Sequence, residues 1–201
     1  LNVCKENLEK NIPLRNIEFT VEDLEILKNF NFITLKKVIY VSNVSEEDIA
    51  LGGNDYSNKV DEYAKSENSE SIVMCAKLES DLASLNDDDK REFLKELNIS
   101  ESGLDRLILS SYKLLGLRTF FTSGVDECRA WTFKDGMKAP ECAGIIHSDF
   151  ERGFIKAEVM SYDDLFTYGS ELKVKEQGRL RLEGKEYLVQ DGDIIYFRFN
   201  V

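Results

Sequence analysis

VIYVSNVSEED, residues 38–48, is an apolar, β-branched run that stops at Asn43 and is followed three positions later by an acid, Glu46. Apolar runs of this kind are typical of strands buried on both faces of a parallel sheet, so we predict a strand over residues 36–42. Asn and Ser commonly begin turns, whereas side chains at the carboxyl end of a parallel strand often bind a ligand. The stretch therefore predicts either a polar turn or part of a purine-binding site.

A second buried strand is predicted in SIVMCA, residues 71–76, with helical patterns on either side of it. The alternation of strand and helix predicts an α/β layer architecture. At the shared crevice of two such strands, the Asn43 amide can bind a purine edge and tie the two loops together. The Ala76 backbone N–H is expected to meet the base, and the Lys77 side chain to cover its face. Because the Glu46 side chain is one methylene longer than aspartate, a preference for guanine should weaken.

The first 30 residues carry helical patterns that are interrupted at Pro13, and Thr20 is a predicted N-cap for the pattern that resumes. Asn86 is a second predicted N-cap, at the start of an acidic helix. We therefore expect helices to surround the two strands.

The pattern changes near Arg118, where short β-rich segments separated by Gly and Asp predict a small, mostly antiparallel α+β unit. The boundary is predicted between about 116 and 119. The unit contains a group of basic side chains: Lys173, Lys175, Arg179, Arg181 and Lys185. We interpret GRLRLEG as a strand on which Arg179 and Arg181 project from one face, where each can meet an RNA phosphate. An ordinary solvated strand face is the alternative, and KEYLV is predicted as the next strand.

The composition of the 201 residues excludes several classes of function. The net charge of −12 argues against non-specific coating of a polyanion, and no readout of DNA sequence is expected. No apolar run reaches the roughly 20 residues of a membrane span and no apolar leader is seen, so we expect a cytoplasmic protein without membrane attachment. The four cysteines are scattered, which predicts reduced thiols and no metal site. His147 and Trp131 are each the only residue of their type, and we predict a structural or partner-contact role for the first and a core position for the second.

Four segments resemble the YchF family of Obg-related P-loop nucleotidases, whose eukaryotic members are called Obg-like ATPases: 12–48, 73–117, 119–165 and 173–201. The resemblance implies three parts, namely a returning arm of a helical or coiled-coil insertion (1–30), the C-terminal part of a nucleotide-binding G domain (31–117) and a β-grasp, ubiquitin-like TGS domain (118–201). It implies that Asn43 and Glu46 form the N-x-x-E motif associated with accepting ATP in place of, or alongside, GTP. The residues it assigns to the base are Asn43, Val44, Glu46, Cys75, Ala76 and Lys77. It also implies Mg²⁺-dependent hydrolysis in the complete protein and association with the ribosome or ribosomal RNA.

The phosphate-binding half of such a site has no counterpart in the sequence. We find no G-x-x-x-x-G-K-[ST] loop, no D-x-x-G segment and no match to the family's catalytic histidine. Those elements bind the phosphates and position the transition state, and the chain begins with Leu1 inside a helical pattern. We therefore expect the C-terminal portion of a nucleotidase, inactive alone, without catalytic residues or Mg²⁺ ligands of its own. The alternatives are a non-enzymatic module that binds the ribosome or RNA through residues 118–201, and a truncated product without a function.

Overall fold

The structure, a computed structural model, describes residues 1–97, 99–124 and 127–200, and the chain divides into two compact units. Unit 1 comprises Leu1–Leu114 and unit 2 comprises Leu115–Val201. Both units combine helices with β-sheet, so the fold is of the mixed α/β class. Among the helices described, none has the length and apolar character needed to cross a membrane.

Unit 1 is mainly helical in its described part and contains one small sheet. Its helices are α1 Asn2–Glu9, α2 Val21–Lys28, α3 Glu46–Ala50, α4 Asp55–Ser66, α5 Ala76–Leu82, α6 Asp87–Glu96 and α7 Gly103–Leu115. Its strands are β1 Ile39–Asn43 and β2 Glu70–Met74, and two short 3-10 helices cover Leu14–Asn16 and Ile33–Leu35.

Both predicted N-caps are confirmed. The Thr20 hydroxyl accepts a hydrogen bond from the Asp23 N–H at 3.2 Å, and the Asp23 carboxylate in turn accepts one from the Thr20 N–H, so α2 begins with a capping box. The Asn86 side-chain oxygen accepts from the N–H groups of Asp88 and Asp89 at the start of α6. The predicted interruption at Pro13 is also confirmed, because α1 ends before it and a short 3-10 helix follows it.

The two strands of unit 1 are parallel, with Ile39 opposite Glu70 and Asn43 opposite Met74. Strand β1 begins three residues later than predicted, because the 3-10 helix Ile33–Leu35 occupies the approach to it. The expectation of a strand covered on both faces is not met in the described residues. Helix α4 packs against the sheet, yet Val41 is 43% exposed because the sheet has only two strands.

Unit 2 contains a five-stranded sheet in the order β4-β3-β7-β5-β6. Its strands are β3 Leu117–Ser123, β4 Cys128–Lys134, β5 Phe154–Ser161, β6 Arg181–Glu183 and β7 Asp193–Phe199. Its helices are α8 Ala139–Ile146, α9 Ser148–Arg152, α10 Tyr162–Tyr168 and α11 Glu171–Glu176. The pair β3–β7 is parallel and the other pairs are antiparallel, so the predicted, mostly antiparallel α+β unit is confirmed.

Two apolar clusters hold this sheet. The larger is built around Phe120, Phe133 and Phe197 together with buried residues of α8. Trp131, for which a core position was predicted, packs against this cluster but is only partly buried. The smaller places Val174 of α11 against Met160 and Ile194. Helices therefore contribute to the apolar packing through both clusters.

Two strand predictions in unit 2 are wrong in extent. KEYLV forms a single bridge between Leu188 and Lys138 rather than a strand. GRLRLEG pairs with β5 only over Arg181–Glu183. Helix α11 ends just upstream and Gly178 adopts a φ of 69°, so the chain is still turning when it reaches Arg179. Arg179 and Arg181 therefore do not alternate on one strand.

Candidate nucleotide-base site

A cleft of about 480 Å³ lies at the carboxyl ends of β1 and β2. Because the strands are parallel and in register to their last residues, the loops that follow them emerge side by side. The cleft is lined by Asn43, Val44, Ser45, Glu46, Glu47, Cys75 and Lys77. The structure thus brings together five of the six residues that the family resemblance assigns to the base, and Ala76 is the one not among the cleft-lining residues.

Asn43 ties the two loops to each other. Its side-chain oxygen accepts a hydrogen bond of 2.9 Å from the Ala76 N–H, 33 positions away. The Val44 N–H donates to the Met74 carbonyl at 2.9 Å, which continues the sheet beyond its last residue pair. The tying of loops by Asn43 is confirmed. The expected contact between the Ala76 N–H and a base is not available in this arrangement, because Asn43 already accepts that hydrogen.

The acidic turn after Asn43 is also the start of a helix. The Ser45 hydroxyl caps α3 by accepting from the Asp48 N–H at 3.1 Å. The Asp48 carboxylate accepts from the Asn54 side-chain amide at 2.9 Å. This hydrogen bond, with a smaller contribution from Ser45, lowers the pKa of Asp48. The segment after β1 therefore forms both a turn and part of the cleft. Ser45 caps α3, while Asn43 and Glu46 line the cleft.

Glu46 and Lys77 form an ion pair across the cleft, with 2.8 Å between the lysine Nζ and the carboxylate Oε1. Their side chains are 47% and 77% exposed, so solvent screens the pair. The hydrogen bond to Glu46 raises the pKa of Lys77, which stays protonated at neutral pH. The predicted role of Lys77, covering the face of a base, concerns its aliphatic stem, whereas its ammonium group is held by Glu46.

Cys75 lines the cleft and also belongs to an apolar cluster of unit 1. The residue is 4% exposed and precedes α5, and it packs with Leu78, Leu82 and Leu94 in an apolar cluster. It is a free thiol. Its contribution to the site is to hold the second loop against the core of unit 1.

The basic residues of unit 2 lie on different elements, and one of them is held within the unit. Lys173 and Lys175 lie in the last turn of α11, Arg179 follows that helix, and Lys185 follows β6. Arg181 is instead engaged within the unit: its Nη2 lies 3.2 Å from the buried Asp193 carboxylate and donates to the Tyr187 hydroxyl at 3.1 Å. Asp193 also accepts from the Tyr187 hydroxyl at 2.7 Å and from the Gln190 N–H at 2.8 Å.

Sequence reasoning missed a buried polar network in unit 1. Glu67, whose side chain is 6% exposed, accepts hydrogen bonds from Arg15, Tyr40 and Tyr63. The bonds from Arg15 and Tyr40 lower the pKa of Glu67. No local signal marks these residues, because Arg15 and Glu67 are 52 positions apart. The network ties the segment after α1 to the sheet.

His147 has a structural contact, as predicted. Its Nδ1 accepts a hydrogen bond from the Asp149 N–H at 3.2 Å and so caps α9. Within the described residues, no group of three or more His, Cys, Asp or Glu side chains lies close enough to hold a metal ion.

The fold and the cleft define a mixed α/β protein with a candidate ligand site where two parallel strands end. Residues 117–200 match the family model YchF-GTPase_C, whose description reads "Protein of unknown function (DUF933)". The protein named Ribosome-binding ATPase YchF of Bacillus subtilis (strain 168) is 57% identical over 202 residues, which cover 100% of this chain and 55% of that relative. Its namesake in Pasteurella multocida (strain Pm70) is 48% identical over 194 residues, which cover 96% of this chain and 53% of that relative.

A solved structure, that of the Schizosaccharomyces pombe YchF GTPase, superposes with a TM-score of 0.89 at 35% identity, covering 98% of this chain and 52% of that one. Over its full length the chain matches the C-terminal portion of proteins named YchF, and residues 117–200 match the YchF C-terminal family model. It spans about half the length of the curated relatives it matches.

Proposed function

We propose that this chain supplies the purine-base side of the nucleotide site in a YchF-type ribosome-binding ATPase, with ATP or GTP as the nucleotide. The observation that carries the proposal is the hydrogen bond from the Ala76 N–H to Asn43, which holds two distant loops together at one cleft. The relatives named as ribosome-binding ATPases support it over the full length of the chain.

In this proposal each cleft residue has a separate task. The Asn43 oxygen is used within the protein, but among the described residues its side-chain NH₂ has no partner, so it can donate to a ring nitrogen of a purine. Val44 and the Lys77 stem flank the ring, and Glu46 lies at the polar edge. Cys75 keeps the second loop in place.

In this proposal the phosphates and Mg²⁺ are bound by residues outside this sequence. The sequence has no G-x-x-x-x-G-K-[ST] loop, and the described residues contain no group of three or more His, Cys, Asp or Glu side chains placed to hold a metal ion. Hydrolysis of ATP or GTP, with Mg²⁺ bound, is therefore a property that we propose for the complete protein.

Nucleotide binding by the natural polypeptide tests the base site. Asn43→Asp keeps an oxygen for the Ala76 N–H but replaces the NH₂ donor by a negatively charged acceptor, so it should weaken ATP and GTP binding without loosening the loops. Glu46→Asp should shift preference towards GTP, because the shorter acid suits the two N–H donors of guanine. Competition with a fluorescent nucleotide measures both. An unchanged ATP/GTP affinity ratio in Glu46→Asp would rule out the role given to Glu46.

We infer further that unit 2 is a TGS domain of the β-grasp type. Its sheet has a parallel central pair, β3 and β7, flanked by antiparallel strands, and α8 packs into the larger apolar cluster. A β-grasp fold has this arrangement, and the match over residues 117–200 covers the same unit.

A non-enzymatic contact with the ribosome or its RNA is the second candidate function, and it belongs to unit 2. Lys173, Lys175 and Arg179 are exposed, and the structure shows no ion pair for them among the described residues. Such side chains are free to meet phosphates, and Lys185 after β6 is a further candidate. Arg181 is set aside because Asp193 and Tyr187 hold it.

A matched pair of charge reversals tests this surface. Lys173→Glu/Lys175→Glu should weaken co-sedimentation with ribosomes and flatten its salt dependence. The control, Lys134→Glu/Lys156→Glu, makes the same charge change at exposed positions of β4 and β5. Equal loss in both variants would show a net-charge effect and reject α11 as the contact.

A further inference from the structure

We propose that an exposed aromatic patch of unit 2, formed by Phe121, Tyr162 and Phe166, is a docking surface for an arginine-rich segment of a partner protein. The proposal goes beyond the nucleotide site, because the base cleft belongs to unit 1 and this patch to unit 2. It rests on three observations: the exposure of the rings, the unpaired acids beside them, and the way in which arginines of this unit use its other rings.

Two aromatic side chains of α10 lie largely in solvent. Tyr162 is 52% exposed, and Phe166, one turn later, is 78% exposed. Their rings stack with centroids 6.1 Å apart, and the Tyr162 ring also lies 6.3 Å from that of Phe121 on β3. Single exposed apolar side chains are ordinary on protein surfaces, whereas a contiguous apolar group with a polar rim is typical of an interaction site.

A cleft of about 390 Å³ adjoins the patch and carries negative charge. It is lined by Thr119, Phe121, Ser161, Tyr162, Asp163, Asp191 and Gly192. Asp191 accepts the Thr119 N–H through Oδ1 at 2.8 Å, but its Oδ2 and the Asp163 carboxylate have no hydrogen bond or ion pair among the described residues. Arg118 attracts Asp191 only at longer range, because its guanidinium pairs with Asp135 at 2.8 Å. Two carboxylates are therefore free to bind a cation.

The start of α10 does not offset these acids with donors for an anion. The Tyr162 N–H donates to the Gly192 carbonyl at 2.9 Å, and the Asp164 N–H donates to the Ser161 hydroxyl at 3.0 Å. That hydroxyl in turn donates to the Asp164 carboxylate at 2.7 Å. A phosphate group would meet carboxylates at this surface, so a basic protein segment is favoured over RNA.

Other rings of unit 2 show which cation suits such a face. The guanidinium carbon of Arg129 lies 4.2 Å from the centroid of the Trp131 ring, and that of Arg198 lies 4.3 Å from the Tyr196 ring. Within the described part of the chain, no lysine or arginine lies over the two exposed rings of α10. A planar guanidinium can stack on a ring while it pairs with a carboxylate, whereas an ammonium is a compact point charge. The patch thus has the rings and the acids that an arginine uses, without an arginine of its own.

The experiment measures, by fluorescence anisotropy, how a fluorescein-labelled peptide of alternating arginine and glycine binds to the natural polypeptide. Phe166→Ala changes no charge and should weaken binding about twofold to fivefold, the range for a cation over an exposed ring. Phe166→Tyr keeps a ring and should retain the affinity, whereas Asp163→Asn should weaken it. The matched controls lie on α11. Leu172→Ala removes a comparably exposed apolar side chain, Glu176→Gln removes the same charge, and both should leave the affinity unaltered.

The variants separate docking at the patch from general attraction of a basic peptide to a chain with a net charge of −12. Equal affinities of Phe166→Ala and Leu172→Ala, or equal binding of a peptide with citrulline in place of arginine, would overturn the proposal. If Phe166→Ala instead lost binding of oligouridylate, or self-association in sedimentation equilibrium, with its peptide affinity unchanged, the patch would belong to RNA or to a second copy of the chain and the proposal would also fall. Melting temperatures measured in parallel show that the fold is intact, as expected for a side chain in solvent.

Discussion

Replacing Arg181 by Met is expected to destabilise unit 2 by about 2 kcal/mol, whereas Arg179→Met, two positions away, should change its stability by less than about 0.5 kcal/mol. Both residues belong to the basic group singled out in the sequence, and only Arg181 is held by the protein. The pair therefore distinguishes a structural arginine from one that is free to bind a partner.

The magnitude follows from the contacts. A hydrogen bond to a charged group contributes about 1.5–3 kcal/mol. The Asp193 side chain is 3% exposed, but that of Arg181 is 44% exposed, so solvent screening places the effect in the lower part of the range. Asp193 also keeps its bonds from Tyr187 and Gln190 and is not left without donors. For a domain of this size, 2 kcal/mol corresponds to a fall in melting temperature of about 8 °C or more.

The assay uses the fluorescence of Trp131, the only tryptophan, which packs beside the larger cluster of unit 2. Its ring N–H donates to Thr122 at 2.9 Å, so its environment changes when the unit unfolds. Urea titrations of both variants give the free energies of unfolding. In an Asp193→Asn background, Arg181→Met should be less destabilising, because the charged partner is gone. Equal effects of Arg179→Met and Arg181→Met would refute the reasoning.

Three further predictions concern both units. Ser45→Ala removes the cap bond to the Asp48 N–H and should destabilise unit 1 by about 1 kcal/mol in urea titrations followed by circular dichroism, whereas Ser45→Thr should retain most of it; equal losses would exclude capping as the cause. The lowered pKa of Glu67 means that its stabilisation is present above its ordinary value of 4.5 and is lost as pH falls below that, so Glu67→Gln should flatten the decline of unit 1 stability between pH 5 and pH 3; parallel declines would contradict this. Burial raises the pKa of the Cys142 thiol to about 12, so alkylation at pH 8 should modify the exposed Cys128 first, and peptide mass spectrometry showing equal rates would overturn that order.

Local features of the fold were predictable from the sequence. The caps at Thr20 and Asn86 and the break at Pro13 depend on residues within four positions, so their signals are short and readable. Strand extents were less predictable. KEYLV has the pattern of a strand but finds one bridging partner, because Leu188 pairs only with Lys138. Whether such a segment becomes a strand depends on neighbours that the pattern does not contain.

The candidate site was predictable in location but not in contacts. Two apolar runs that end in polar residues predicted a shared crevice, and the structure has a cleft there. That this cleft binds a base stays a prediction. The expected donor, the Ala76 N–H, instead donates to the Asn43 side-chain oxygen. The two residues lie where the adjacent strands β1 and β2 end, which brings these groups within hydrogen-bond distance.

By itself the sequence determined the mixed α/β class, the helix starts at Thr20 and Asn86, and the place where the strand ends meet. These follow from hydrophobic periodicity and local hydrogen bonding, which act over a few residues. The tertiary structure alone decided that Lys77 pairs with Glu46, that Arg15 pairs with Glu67, and that Arg181 pairs with Asp193. Such ion pairs form when strand register and packing bring the two charged groups within about 3 Å of each other. The number of residues between the partners in the sequence does not reveal whether this happens.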